Sequence, residues 1–174
     1  MKMNETEFAQ NVVPFRDRMF RYARTLLLSD AEAEDVVHDQ LEQLWLRRAA
    51  LDAGRNIGSL IFTALRNRCY DLLRQRAVRR RRDGELAASG AHATTRAIDG
   101  WEARDWVRRA MEALPERQRE VLGLRDIEGM PMEEIAAVTA CSEAHVRVLL
   151  SRARRGLREE LEKMECDERI RRTD

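Results

Sequence analysis

The sequence predicts an all-α protein of two small helical domains joined by a flexible linker, the C-terminal domain containing a helix-turn-helix. Three observations carry this. Apolar residues recur at three- and four-residue spacings on both sides of residue 78, and no alternating strand pattern interrupts them. Aromatic residues make up 5% of the 174 residues and charged residues 36%, which suits helices around modest cores. Residues 78–100 (VRRRRDGELAASGAHATTRAIDG) lack apolar periodicity and are rich in Gly, Ala, Ser and Thr. The chain therefore divides into a first domain at 1–77, a linker at 78–100, a second domain at 101–165 and a charged tail at 166–174 that is expected to fray. Domains of this size bury only roughly 60% of their unfolded surface, so neither is expected to be very stable alone.

The helical unit starts at Pro14, followed by a stripe of Phe15, Met19, Tyr22, Ala23 and Leu26. Ser29 and Glu32 form a capping-box pair before a second helix. That helix buries Val37, Leu41, Leu44 and Trp45 and presents Asp35, His38, Asp39 and Glu42 on its other side. Residues 49–59 (AALDAGRNIGS) break the period with two glycines and read as a loop. A third helix turns Ile61, Ala64, Leu65, Cys69 and Leu72 inward, while Asn67, Asp71 and Arg74 share a polar face. Helical pattern resumes after Trp101 with Trp106, Ala110 and Leu114, and Pro115 starts the next helix.

The run from 114 to 161 says most about function. Pro131 can open a short helix with an apolar face of Ile135, Ala136 and Val138. Residues 139–142 form a turn, and Ser142 suits the N-cap of the helix that follows. In that helix Val146, Leu150, Ala153 and Leu157 make a buried stripe. Arg147, Ser151, Arg154, Arg155 and Arg158 fall away from it, where they can meet phosphates and base edges. A tight turn between two such helices is the geometry that seats a recognition helix in the DNA major groove. A solvated basic helix in a bundle is the competing reading, but cap, turn and stripe all agree with the arginine face.

Net charge is +1, so global charge does not announce nucleic acid; its distribution does. Residues 30–42 carry six acidic and no basic residues, whereas residues 74–82 carry six arginines, a segregation that suggests distinct partners for distinct faces. Arginine outnumbers lysine thirty to two, which partly suits phosphate forks and in larger part fits a GC-rich genome. The three cysteines (Cys69, Cys141 and Cys166) are widely spaced and the three histidines show no ligand spacing, so no disulfide framework, metal site or cofactor is expected. Cys69 and Cys141 read as core thiols. No apolar run approaches a membrane span and no leader pattern is visible, which points to the cytoplasm. A nuclease or recombinase would need a nucleophile or metal carboxylates; Ser29, Ser59 and Ser151 have no base nearby in sequence, and the acids of 30–42 follow one helix surface.

Two separate stretches resemble a known family. AEDVVHDQLEQLW (33–45) followed by SLIFTALRNRCYDLLRQR (59–76), and then the 114–161 run, are similar to the promoter-melting and upstream-element domains of bacterial extracytoplasmic-function sigma factors. The resemblance implies an alternative sigma factor without enzymatic activity. It would bind core RNA polymerase, read minus-35 duplex and minus-10 melted non-template strand, and commonly be restrained by an anti-sigma factor. It implies that Asp35, His38, Asp39 and Glu42 dock on the polymerase clamp, with His38 replacing the family's usual glutamine. It places Leu51, Asp52 and Asn56 in a pocket for a flipped minus-10 base, with Asn67 and Arg74 along the non-template strand. A tryptophan common near position 60 is here Leu60. It assigns minus-35 recognition to Glu143, His145, Arg147, Ser151, Arg154 and Arg155, with Ala140 where a turn glycine is frequent. On residues alone, the 49–59 loop serves equally as connector or base pocket; the resemblance favours the pocket. The competing function is a stand-alone helix-turn-helix regulator with an N-terminal helical interaction domain, but no ligand cavity or phosphoacceptor pattern supports a sensor.

Overall fold

The computed structural model describes residues 3–51, 56–84 and 103–171, and all regular structure among them is helical. The N-terminal domain comprises α1 (Glu5–Asn11), α2 (Arg16–Leu27), α3 (Asp30–Leu46) and α4 (Ile57–Arg82). The C-terminal domain comprises α5 (Ala103–Glu112), α6 (Glu116–Leu122), a π-helical turn (Gly123–Ile127), α7 (Met132–Thr139) and α8 (Glu143–Arg171).

Helix α1 was not expected, because seven residues are too few to show a period. Its signal was a capping box: Asn4 Oδ1 accepts from Glu7 N at 2.9 Å, and Asn4 N donates to the Glu7 carboxylate at 2.8 Å. The helix brings Phe8 edge-on to Trp45, 5.2 Å between centroids. In front of α3 only half of the expected box forms. Ser29 Oγ accepts from Glu32 N at 3.4 Å, but the Glu32 carboxylate pairs with Arg76 on α4 instead of returning to the cap. A partner guanidinium outcompetes the local backbone N–H.

Helix α4 is longer at both ends than the sequence implied. Asn56 caps it by accepting from Ser59 N at 3.2 Å, so residues 57–59 belong to the helix and not to the loop. At the other end residues 78–82, assigned to the linker, are helical. Arginine is a good helix former, and four arginines in the last turn complement the negative end of the helix dipole. The linker residues from 85 to 100 lie outside the described residues. The tail expected to fray beyond residue 165 is also helical, through Arg171. Half-buried Leu161 and Met164 extend the apolar stripe of α8 toward it, and an Arg169–Glu165 pair supports it.

The two domains are packed on one another. Helix α2 lies against α6, and α4 against α7. One continuous buried cluster runs from Met19, Tyr22 and Phe62 to Val121, Ile135 and Ala153. The close approach needs Gly123, where an added Cβ would sit 3.0 Å from Thr25 Cγ2 on α2.

Candidate nucleic-acid and polymerase interfaces

The helix-turn-helix forms from α7, residues 140–142 and α8. Ala140 takes the left-handed conformation (φ 53°) that glycine adopts more readily, and Cys141 N donates to Ala136 O at 3.1 Å to close the turn. Ser142 Oγ accepts from His145 N at 3.2 Å, the N-cap read from the sequence. Val146, Leu150 and Ala153 are buried and Leu157 is half-buried, so the inward stripe is as expected. His145, Arg147, Ser151, Arg154 and Arg155 are exposed and Glu143 is half-buried. Arg147, Ser151, Arg154, Arg155 and Arg158 line a cleft of about 500 Å³ that reaches Met132 on α7. Two guanidiniums there hold carboxylates: Arg147 on Glu143 at 2.8 Å, and Arg154 on Asp126 at 2.6 and 3.0 Å.

Sequence reasoning passed over three exposed residues on this helix, Ala144, Val148 and Arg152. Ala144, Val148 and Arg155 lie most directly opposite the buried stripe by the 100° step of an α-helix, with Arg152 flanking them. Val148 is 45% exposed there, an apolar group on the outward face of α8. Reading the outward face from the stripe, and not by charge alone, finds all three.

The acidic face is assembled as expected. Asp35, His38, Asp39 and Glu42 recur at helical spacing on α3 and all four are exposed. Asp39 approaches Arg68 at 3.6 Å. His38 also lines a shallow groove of about 230 Å³ with Arg16, Phe20, Glu34 and Leu41.

The minus-10 set is dispersed. Asn67 and Arg74 are exposed two turns apart on α4, and Arg74 pairs with Asp71 at 3.0 Å. Leu51 instead packs into the core at 9% exposure. Asp52 lies outside the described residues. Asn56 is engaged twice: its Oδ1 caps α4, and its Nδ2 donates to Glu134 on α7 at 2.9 Å.

Between the domains lies a polar cluster that the sequence did not disclose. Glu120, fully buried on α6, accepts from Tyr22 Oη at 2.8 Å, Arg66 Nε at 2.6 Å and Tyr70 Oη at 2.8 Å. Burial, and then the Glu120 charge, push both tyrosine hydroxyls above their ordinary range, so both stay protonated donors. The same two causes push the Cys69 thiol up to about 12, which makes it the inert core thiol expected. Buried Arg119 donates to the carbonyls of Leu114 at 3.0 Å and, across the interface, Leu26 at 3.3 Å. At the rim Glu128 accepts from Arg18 at 3.1 Å and Arg21 at 2.7 Å. In the sequence Arg119 and Glu120 look like any charged pair on a solvated turn. Among the described residues no cluster of metal-ligating side chains occurs, and no helix is long and apolar enough to cross a membrane.

Two packed helical domains, one carrying an exposed acidic face on α3 and the other an exposed arginine face on a helix-turn-helix, define a class, and comparison with known proteins gives it a family. Residues 12–79 match sigma-70 region 2, and residues 104–157 match sigma-70 region 4. The ECF RNA polymerase sigma factor EcfG of Rhodopseudomonas palustris is 30% identical over 125 residues, 70% of this chain and 67% of that protein. RNA polymerase sigma factor SigF of Mycobacterium tuberculosis is 42% identical over 65 residues, 37% of this chain and 25% of that protein. Among solved structures, the sigma factor RpoE bound to the anti-sigma factor NepR, from Bartonella quintana, is 27% identical with a TM-score of 0.77, over 90% of this chain and 98% of that one. CnrH in complex with the cytosolic domain of CnrY is 27% identical with a TM-score of 0.67, over 92% and 90%. The chain belongs to the sigma-70 family and, within it, to the extracytoplasmic-function sigma factors. It is an alternative sigma factor, a transcription initiation factor that directs RNA polymerase to promoters. The N-terminal half is region 2 and not a sensing module, so nothing favours a stand-alone regulator.

Proposed function

We propose that the labour divides between the domains by what each kind of DNA allows. A duplex offers a distinct donor and acceptor pattern in its major groove, which a helix can read. Residues 101–165 do this at minus-35 through α8, with Arg147, Ser151, Arg154 and Arg155 on the groove side and Glu143 and His145 near its start. A melted strand needs a cationic track and a pocket for an extruded base, with stacking and phosphate contacts that offset unstacking. Residues 1–77, with α4 extended to Arg82, do this at minus-10: Asn67 and Arg74 follow the non-template strand, and Asp52 and Asn56 form the base pocket over the buried Leu51. Asp35, His38, Asp39 and Glu42 dock on core polymerase. No step requires the chain itself to catalyse a reaction, and it works in the cytoplasm beside the chromosome.

The single observation that carries this reading is the outward arginine face of α8 beside a separate acidic face on α3. The packed arrangement is the resting form. Elements named for positions about 25 base pairs apart lie roughly 85 Å apart at 3.4 Å per step, whereas a compact chain of this length has a radius of gyration of about 16 Å. The domains must therefore part to bridge a promoter, and parting also releases Asn56 from Glu134. An anti-sigma factor that favours the packed form would hold the protein inactive. The structural neighbour caught with NepR suits that reading.

The test uses the full chain and the duplex it enriches from a randomised pool, with a scrambled duplex as comparison. Arg147 lies one turn into α8, in reach of a bidentate guanine contact that discriminates by about 1–3 kcal/mol. Arg147→Ala is expected to weaken matched binding far more than scrambled. Arg155→Ala is expected to weaken both equally and to flatten the salt dependence by roughly one counterion. Equal losses for Arg147→Ala on both duplexes would make it a phosphate contact and pass the reading to Glu143, His145 or Ser151.

A further inference from the structure

We propose that Asp126 is a specificity-determining residue: a built-in counter-charge that masks Arg154 from non-specific phosphates. Asp126 sits on the π-helical turn, 28 positions before Arg154, and nothing in the sequence pairs them. Its two carboxylate oxygens take Arg154 Nε at 3.0 Å and Nη2 at 2.6 Å, a bidentate fork. That edge of the guanidinium is the one a phosphate or a guanine would otherwise take. Both side chains remain substantially exposed, and an exposed pair contributes little to stability, so the fork is not explained by holding the fold. Arg154 instead lines the cleft where Arg147, Arg155 and Arg158 converge. Arg147 is paired there to its neighbour Glu143 and Arg155 approaches Glu159 at 3.8 Å, both within one helix, whereas Asp126 reaches Arg154 from outside α8.

Specificity is a difference of affinities and can be raised by weakening the wrong complex. A carboxylate on Arg154 neutralises one cation that any duplex could otherwise recruit. A correctly seated major groove, held by the base-reading residues, gives phosphates a fixed geometry in which to displace Asp126. A scrambled duplex gives none. Asp126 thus acts through Arg154 as a positioning residue, trimming non-specific binding more than specific binding.

The inference rests on the minus-35 reading above, and its test separates the two. The full chain, Asp126→Asn, Arg154→Ala and the double variant are titrated with the enriched duplex and its scrambled version between 50 and 200 mM salt. Asp126→Asn is expected to tighten scrambled binding about threefold, to tighten matched binding less, and to steepen the salt slope by about one. The affinity lost across that salt range then grows by roughly threefold. With Arg154→Ala already present, Asp126→Asn should change nothing, and Asp126→Glu should behave as wild type. Weaker or unchanged binding in Asp126→Asn overturns the proposal, as does an effect that persists undiminished without Arg154, which would be simple repulsion. A wild-type chain with no preference for its enriched duplex would overturn the minus-35 reading and this one with it. Normal preference with a silent Asp126→Asn overturns this one alone.

Discussion

Replacing Glu120 with alanine is expected to separate the two domains while leaving each of them helical. The carboxylate is fully buried on α6 and collects three donors from the N-terminal domain: Tyr22, Arg66 and Tyr70. Removing it strands a largely buried guanidinium and two hydroxyls between apolar walls. Breaking a buried charged cluster by deleting one partner typically costs about 3–5 kcal/mol, because the remaining charge is left uncompensated. Nothing inside either domain depends on those hydrogen bonds to the same degree, so the loss falls on the interface. A protease site introduced between residues 85 and 100 makes the measurement direct. The cut wild-type halves should co-elute on gel filtration, and the cut Glu120→Ala halves should run apart with their helical circular dichroism retained. Co-elution of the variant halves as tightly as wild type would mean that apolar packing alone holds the domains. Removing single donors by Tyr22→Phe or Tyr70→Phe should loosen the pair by only about 1 kcal/mol each. If the packed form is the resting one, Glu120→Ala in the uncut chain should also bind core polymerase more tightly, since less free energy is spent on opening.

The second large effect concerns docking. Asp35→Arg with Asp39→Arg is expected to abolish binding to core polymerase and to leave the fold intact. Both carboxylates are exposed on α3, on the side away from buried Val36, Val37 and Leu44, and the nearest cation to Asp39 is Arg68 at 3.6 Å. Surface changes of this kind usually shift stability by less than about 0.5 kcal/mol. Across an interface chosen for charge complementarity, like-charge juxtapositions cost several kcal/mol, so a loss of more than about a hundredfold in affinity is expected. Fluorescence anisotropy of labelled chain against core polymerase reads it, with thermal melting as the control for folding. Unchanged affinity would move the docking site away from this face.

Sequence reasoning reached the features that one helix can state about itself. The stripe of Val146, Leu150 and Ala153 settles which side of α8 is outward, and Ser142 settles where α8 begins, because a period and a cap are local properties of a helix. The same holds for the acidic side of α3. Local signals failed at the ends of α4 and α8, where helix propensity and packing carry helices past the apparent breaks at 57–59, 78–82 and 166–171. They failed more deeply where the meaning of a residue lies in a distant partner. Glu120 and Arg119 are ordinary surface charges until α2 and α4 close over them. Leu51 reads as a loop residue until the core receives it, and no local signal at Asn56 shows that Glu134, 78 positions away, holds its amide. Asp126 is one acid among many until the π-helical turn swings it onto Arg154. Periodicity records which face of a helix avoids water, and that much the sequence determined for both domains. Which charges become buried, and which cation is masked, depend on contacts between residues from 28 to more than 100 positions apart. The tertiary structure alone decided them, because the cost of burying a charge exists only once its partner has arrived.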